Sequence, residues 1–321
     1  MHAPTVGSGV QRHDALFSPD YVYFSSYSST WLAHARAYVD QTLPRLGLGA
    51  QSLVVEIASN DGYLLQYFKN RGIPVLGVEP AANVAQVAEA KGIRSLVRFF
   101  GVETAEALRA SHQKADLLVC NNVLAHVPDL NDFVAGLAMV LNPEGTLTVE
   151  FPHLLQLVAN VQFDTIYHEH FSYFSLHTVE RVLARHGLEL FDVEELPTHG
   201  GSLRIFGRHR GKGPVATAVA AVKAKERAAG LDRIDGYEGF AETVARTKRA
   251  LLSFLIAAKA EGKRVVGYGA PAKGNTLLNF CGVRGDFLDY TVDASPHKQG
   301  LLLPGTRIPI FAPERIFATR P

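Results

Sequence analysis

The chain has 321 residues, enough for two domains, and carries a net charge of +1 with a pI near 7.9. This balance, with no block of like charge, gives no reason to expect a nucleic-acid or acidic-membrane partner. No apolar run reaches a membrane span or forms a signal-type h-region, so a cytoplasmic protein is expected. The two cysteines, Cys120 and Cys281, lie far apart near the ends of apolar runs; this excludes a disulfide framework and a CxxC zinc knuckle and leaves buried thiols.

Residues 1–17 show little periodicity and read as a frayed arm. Residues 18–30 place Tyr21, Tyr23 and Tyr27 among hydroxyls. Such a strip either lines a site for a hydroxylated ligand or packs its rings as a surface loop. Residues 31–43 follow with helical spacing and Thr30 as the expected N-cap.

Residues 53–58 form a β-type run, then a turn at 59–62 and a helical pattern at 63–70. A second strand at 74–78 ends in Glu79-Pro80, and a helix spans 81–91. Strand, turn, helix and strand in this order imply a parallel sheet with its ligand at the carboxyl ends of the strands. Glu79 falls about twenty residues after the first loop, where a carboxylate accepts from ribose hydroxyls.

That first loop reads Glu56-x-Ala58-x-Asn60-x-Gly62. It has one glycine where a pyrophosphate loop needs several, and Asp61 at the helix entrance would repel a diphosphate but meet an ammonium. Glu-x-Gly-x-Gly-x-Gly is the S-adenosylmethionine pattern, with Ala and Asn here at the first two glycine places. Adenosylmethionine, with no phosphate, therefore fits better than NAD; a sheet of this type with no cofactor is the bland alternative.

A third strand is expected at 94–97, a helix at 103–111, a fourth strand at 116–120 and a helix at 131–141. The fourth strand ends in Asn121-Asn122 with His126 close behind, either facing a reacting carbon or serving as a buried or capping histidine. The fifth strand covers 145–151. After it, residues 164–173 gather Asp164, Tyr167, His168, Glu169, His170 and Tyr173. So many groups able to hold or move a proton suit general acid–base chemistry. A metal site ranks low: His168 and His170 would point to opposite sides of a strand, and HExxH is absent.

A helix at 176–186 and strands at 188–196 and 202–207 complete seven strands with the last antiparallel. Helices at 212–229 and 237–262 lead to a second αβ region. There a strand at 264–268 runs into Gly269-Ala270-Pro271-Ala272-Lys273-Gly274-Asn275 and a helix at 277–281, either a phosphate cradle or a tight strand–helix turn. A strand at 287–292 ends in Asp293, and 304–310 with a helix at 313–317 closes the sequence. The expected fold is α/β: a class I methyltransferase-type, Rossmann-like seven-stranded sheet plus a smaller C-terminal Rossmann-like αβ domain. The expected boundaries are 1–45 for the arm, helix and substrate-lining segment, 46–211 for the cofactor domain and 212–321 for the C-terminal domain.

Six segments in order carry a resemblance: 56–62, 77–80, 121–126, 163–170, 200–204 and 267–274. Together they resemble the nucleotide-sugar C-methyltransferases of antibiotic deoxysugar pathways, over roughly residues 18–321. The resemblance implies methylation of C-3, or a neighbouring carbon, of a dTDP-4-keto-deoxysugar through a base-generated enolate. It assigns the proton-abstracting role to His170, with Tyr167, Glu169, His126 and Tyr21 as the other active-site groups. It implies adenosylmethionine contacts from Glu56, Ala58, Asn60, Gly62, Glu79, Pro80 and Asn121. Tyr23, Tyr173, Lys273, Asn275 and Asp293 are the expected substrate contacts, with the nucleotide held by the C-terminal domain. Family members usually begin with a small zinc-binding domain built on cysteine pairs; no such pair occurs here, so a member lacking that domain is expected. An O- or N-methyltransferase of a small molecule or nucleotide sugar, and a catalytically silent nucleotide-sugar-binding subunit, are the alternatives. Oligomeric state is not readable from the sequence.

Overall fold

The computed structural model describes residues 23–111 and 113–321. They form two compact units that do not follow chain order. The larger comprises residues up to 152 with 174–197 and 202–223; the second comprises 153–173, 198–201 and 224–321.

The larger unit is built on a seven-stranded sheet of order β3-β2-β1-β4-β5-β7-β6. Its strands are β1 (Val54–Ile57), β2 (Val75–Val78), β3 (Ser95–Leu96), β4 (Ala115–Asn121), β5 (Leu141–Pro152), β6 (Leu188–Leu196) and β7 (Ser202–His209). The first five pair in parallel, while β7 inserts antiparallel between β5 and β6. The apolar runs expected to be strands are thus strands, in the arrangement of a class I methyltransferase.

Alternation along the strands divides the core into two layers. Val55, Ile57, Leu118 and Cys120 face one side, where they pack with residues of α4 (Val102–Ala110), α5 (Leu130–Val140) and α7 (Leu176–Arg185). Val54, Leu117 and Val119 face the other, against α1 (Ser29–Leu46) and α2 (Leu65–Lys69). Helix α3 (Ala82–Ala90) follows β2. The N-cap of α1 is Ser28, whose hydroxyl accepts from the Trp31 amide at 3.2 Å, and not Thr30 as its spacing predicts. Thr30 lies inside the first turn, two residues past the N-cap.

Helix α1 is tied to the sheet by a buried charged network. Glu150 of β5 is fully buried and accepts from Arg204 of β7 at 2.7 Å and from His34 of α1 at 2.9 Å. Arg204 also bonds Glu194 of β6 at 3.1 Å and lies over the ring of Tyr38, whose hydroxyl bonds Thr148 at 2.7 Å. The register explains the pairing, since Arg204 stands opposite both Glu150 and Glu194.

The second unit contains α6 (Leu154–Ala159), the segment 163–173, and the long α9 (Phe240–Ala260). It also holds a three-stranded parallel sheet, β10-β9-β8, of two-residue strands: β8 (Gly267–Tyr268), β9 (Thr291–Val292) and β10 (Ile310–Phe311). Helices α10 (Ala272–Cys281) and α11 (Arg315–Thr319) complete it. Helix α8 (Thr217–Ala228) spans the division. A buried pair, His153 to Glu226 at 2.8 Å, fastens the entry to α6 within this unit. The strands are shorter than the apolar runs at 264–268 and 287–292 suggest, and α10 starts at Ala272, five residues before its expected start.

Candidate active site

In the larger unit a cavity of about 420 Å³ opens at the carboxyl ends of β1, β2 and β4, walled by Ala58, Glu79, Pro80, Phe99 and His126 among others. The loop after β1 shows why its sequence departs from three glycines yet keeps their places. Ala58, Asn60 and Gly62 all have left-handed φ, at +56°, +50° and +74°. The motif is therefore a pattern of backbone conformation. Asn visits that region readily, Ala at a cost of about 1 kcal/mol. Gly62 has a second reason to be glycine, because a Cβ there would lie 2.5 Å from Cδ1 of Ile93.

Three carboxylates are buried around this loop: Glu56, Asp61 and Glu79. Glu79 accepts from the amides of Ala81 and Asn60, both at 2.9 Å, and each of its oxygens keeps a lone pair for a ribose hydroxyl. Burial pushes its carboxyl above the usual range, those two amides pull it back, and the charge of Asp61 adds to the rise. Burial pushes Glu56 well above its usual range too; the nearby Tyr63 hydroxyl counters this, and Asp61 and Glu79 reinforce it. Neither Glu56 oxygen, nor Oδ1 of Asp61, nor Oδ1 of Asn121, nor the carboxamide of Asn122 has a hydrogen-bond partner among the described residues.

Orphaned buried acceptors and mutually repelling carboxylates are expensive unless a ligand satisfies them. A ligand with an ammonium, a sulfonium and a ribose diol fits this donor and acceptor set. The aromatic pair Phe99-Phe100 lines this cavity although sequence reasoning did not assign it; its signal is position, just after β3.

In the second unit His170 Nδ1 lies 2.7 Å from the carbonyl oxygen of the buried Thr165. A carbonyl only accepts, so Nδ1 carries the proton and Nε2 the lone pair. The ring of Tyr167 stacks on His170 with centroids 4.4 Å apart, and Tyr173 meets it edge-on at 6.0 Å. Burial holds the imidazole below its usual pKa; the Thr165 bond and the Glu169 charge oppose this, and the Lys273 charge adds to it. The partly buried Lys273 is itself held below its usual value by burial, with Asp164 countering. The 163–165 turn is fixed against α10 by Phe163 and Phe280, whose rings are 5.0 Å apart.

The loop entering α10 is braced by Asp293, which accepts from the Ala270 amide at 2.7 Å and the Ser295 amide at 2.8 Å. Asn275 bonds back to the Pro271 carbonyl through its amide at 3.1 Å. Glu56, Ala58, Asn60, Gly62, Glu79, Pro80, Asn121 and His126 therefore belong to the larger unit, with Tyr23. Tyr167, Glu169, His170, Tyr173, Lys273, Asn275 and Asp293 belong to the second. Tyr21 lies outside the described residues. Among the described residues no group of three or more His, Cys, Asp and Glu is placed to hold a metal ion, and no helix is long and apolar enough to cross a membrane.

The fold and the crevice define an S-adenosylmethionine-dependent methyltransferase. Residues 31–193 match the family model described as a methyltransferase domain, and residues 197–321 match that of the C-methyltransferase C-terminal domain. The chain is 39% identical over 303 residues to the C-methyltransferase NovU of Streptomyces niveus, covering 94% of this chain and 72% of that protein. It belongs to the C-methyltransferase family, and its cofactor is S-adenosylmethionine. A shorter stretch of 97 residues is 30% identical to the ubiquinone biosynthesis O-methyltransferase of Chelativorans sp. (strain BNC1), covering 30% of this chain and 38% of that protein. Among solved structures, an S-adenosylmethionine-dependent methyltransferase of Thermotoga maritima is similar with a TM-score of 0.45 and 20% identity, covering 61% of this chain and 99% of that one.

Proposed function

We propose that the protein methylates carbon, most specifically C-3 of a dTDP-4-keto-deoxysugar, through an enolate generated by His170. The supporting observation is the imidazole fixed by Thr165, with its proton on Nδ1 and its lone pair on Nε2. A C–H beside a ketone is acidic because the carbanion spreads into an enolate, and a neutral imidazole is a suitable base near neutral pH. In this reading Nε2 takes the C-3 proton. The Tyr167 hydroxyl, on a ring whose centroid lies 4.4 Å from that of the base, is assigned to donate to the growing oxyanion; such a donor is typically worth about 3 kcal/mol. Adenosylmethionine supplies an electrophilic methyl, which forms the new C–C bond as its C–S bond breaks and the electron pair returns to sulfur.

The half-buried Lys273, with Asn275 and Asp293 on the same loop system, is assigned to the nucleotide, and Tyr23 and Tyr173 to the sugar. The reaction is assigned to the cytoplasm, in deoxysugar and antibiotic biosynthesis. The test uses substrate deuterated at C-3 in water. Wild type should release deuterium, and His170→Asn should lose both washout and turnover by about 10²- to 10⁴-fold, while adenosylhomocysteine affinity by calorimetry stays within about threefold. Methyl transfer with complete retention of the label would point instead to the carbon on the other side of the ketone or to O- or N-methylation. Normal turnover of His170→Asn would remove this base.

A further inference from the structure

Residues 23–27 are bonded to the cofactor loop, at Asn60, which stands at a glycine place of the motif, and at its neighbour Asp61. The Asn60 carboxamide is used at both ends. Its oxygen accepts from the Ser25 amide at 2.8 Å, and its nitrogen donates to the Tyr23 carbonyl at 3.1 Å. Oδ2 of Asp61 accepts from the next amide, Ser26, at 3.2 Å. Lys91 closes the arrangement, donating to the Ser26 hydroxyl at 3.0 Å and to the Asp61 carbonyl at 2.7 Å. Asn60, Asp61 and Ser25 are all buried.

The same two residues also face the cofactor's chemistry. The Asn60 amide donates to Glu79 Oε2, the carboxylate suited to ribose. Oδ1 of Asp61 is buried without a hydrogen-bond partner among the described residues, while its Oδ2 holds the strap. One carboxylate thus sits between a strap amide and the place for an ammonium, and one asparagine between the strap and the ribose acid.

We infer that Asn60 and Asp61 are positioning residues that tie the order of the segment Tyr23–Tyr27 to occupancy of the adenosylmethionine crevice. A ligand ammonium on Asp61 and a diol on Glu79 hold the loop in its left-handed conformation, and the loop then presents its carboxamide and Oδ2 to the strap. This needs the cofactor only and is independent of which acceptor is methylated. Resting on the acceptor reading above, its consequence is that the exposed Tyr23 is seated once the cofactor is in place.

Peptide-resolved hydrogen–deuterium exchange tests it, with S-adenosylhomocysteine as the probe. In the wild-type protein, saturating ligand should slow exchange of the Ser25 and Ser26 amides at least ~10-fold. Asn60→Gly keeps the backbone conformation without strain and removes only the side chain. It should retain the melting temperature of the body and, with the probe raised to saturate the variant by its own calorimetric affinity, lose the ligand-dependent protection. Asn60→Asp keeps an acceptor for Ser25 and should restore part of it. Lys91→Met, which removes the bonds to the Ser26 hydroxyl and the Asp61 carbonyl, should weaken protection at Ser26 more than at Ser25. Exchange at 23–27 that ignores the probe in wild type, or that responds normally in Asn60→Gly, overturns the inference.

Discussion

The two units handle charge differently at their functional ends. The larger buries Glu56, Asp61 and Glu79 around one loop, with Lys91 as the nearby cation. The second sets His170 and Lys273 near Glu169 and Asp164, and pairs Lys298 with Asp293. A cofactor bearing an ammonium and a sulfonium suits the first. The difference teaches that the first is marked by buried carboxylates short of cations, and the second by a base that burial keeps neutral.

The comparison is sharpest where a buried acid of the larger unit is compensated by protein. Glu150 has Arg204 and His34; Glu56 has neither. Arg204→Met should therefore cost about 3–5 kcal/mol, because it strands a buried carboxylate. Urea unfolding reads this, and adding Glu150→Gln should recover much of the loss. Glu56→Gln should by contrast leave the apo protein no less stable, since burial already disfavours its charge. A large loss on Glu56→Gln would place Glu56 in the structural class with Glu150. Next in size, Glu79→Gln should weaken adenosylhomocysteine by roughly 10- to 100-fold in calorimetry, the value of hydrogen bonds to a charged acceptor. Unchanged affinity would remove Glu79 from the crevice.

In the second unit the test is a pH profile. His170 is acted on by Glu169 of its own segment, by the rings of Tyr167 and Tyr173, and by Lys273 of α10, whose own partner charge is Asp164. A base held below the ordinary histidine value stays unprotonated as pH falls to about 6.5, so the acidic limb of kcat/KM should lie below that point. Lys273→Met removes a positive charge that favours the neutral ring. The imidazole then holds its proton to higher pH, and the limb should move upward. A limb that stays in place, with only KM altered, would confine Lys273 to substrate binding.

Much of the larger unit is legible in the sequence because its signals are local. The strand runs at 53–58, 74–78 and 116–120 are short, largely apolar stretches bounded by turns, as a sheet buried on both faces requires, and Glu79 stands at a strand end. The second unit is less so. Its strands are two residues long, too short to alternate, and α6 follows the Pro152-His153 step with Leu154 and Leu155, which read as a continuation of β5. That residues 153–173 pack with 224–321 is a long-range property carried by contacts such as Phe163 with Phe280 and His153 with Glu226. The identity of the His170 partner was equally hidden: the richness of side chains at 164–173 suggests a side-chain orienter, whereas a backbone carbonyl at Thr165 binds Nδ1.

The smallest expected effect bears on the cofactor loop itself. Ala58 holds φ +56° without the freedom of glycine or the local hydrogen bonding of asparagine. Ala58→Gly relieves that strain of about 1 kcal/mol but gives the unfolded chain more conformational freedom, of about 0.4–1 kcal/mol. The two nearly cancel, so stability should rise by at most ~0.5 kcal/mol in chemical unfolding. The strain is local to the crevice, however, and a ligand that needs the left-handed loop benefits from whatever lowers its cost. Adenosylhomocysteine affinity should therefore rise slightly or stay level. A clear loss of affinity would mean that the Ala58 methyl contributes contact to the cofactor beyond holding the turn, and that the three glycine places of this loop are not equivalent.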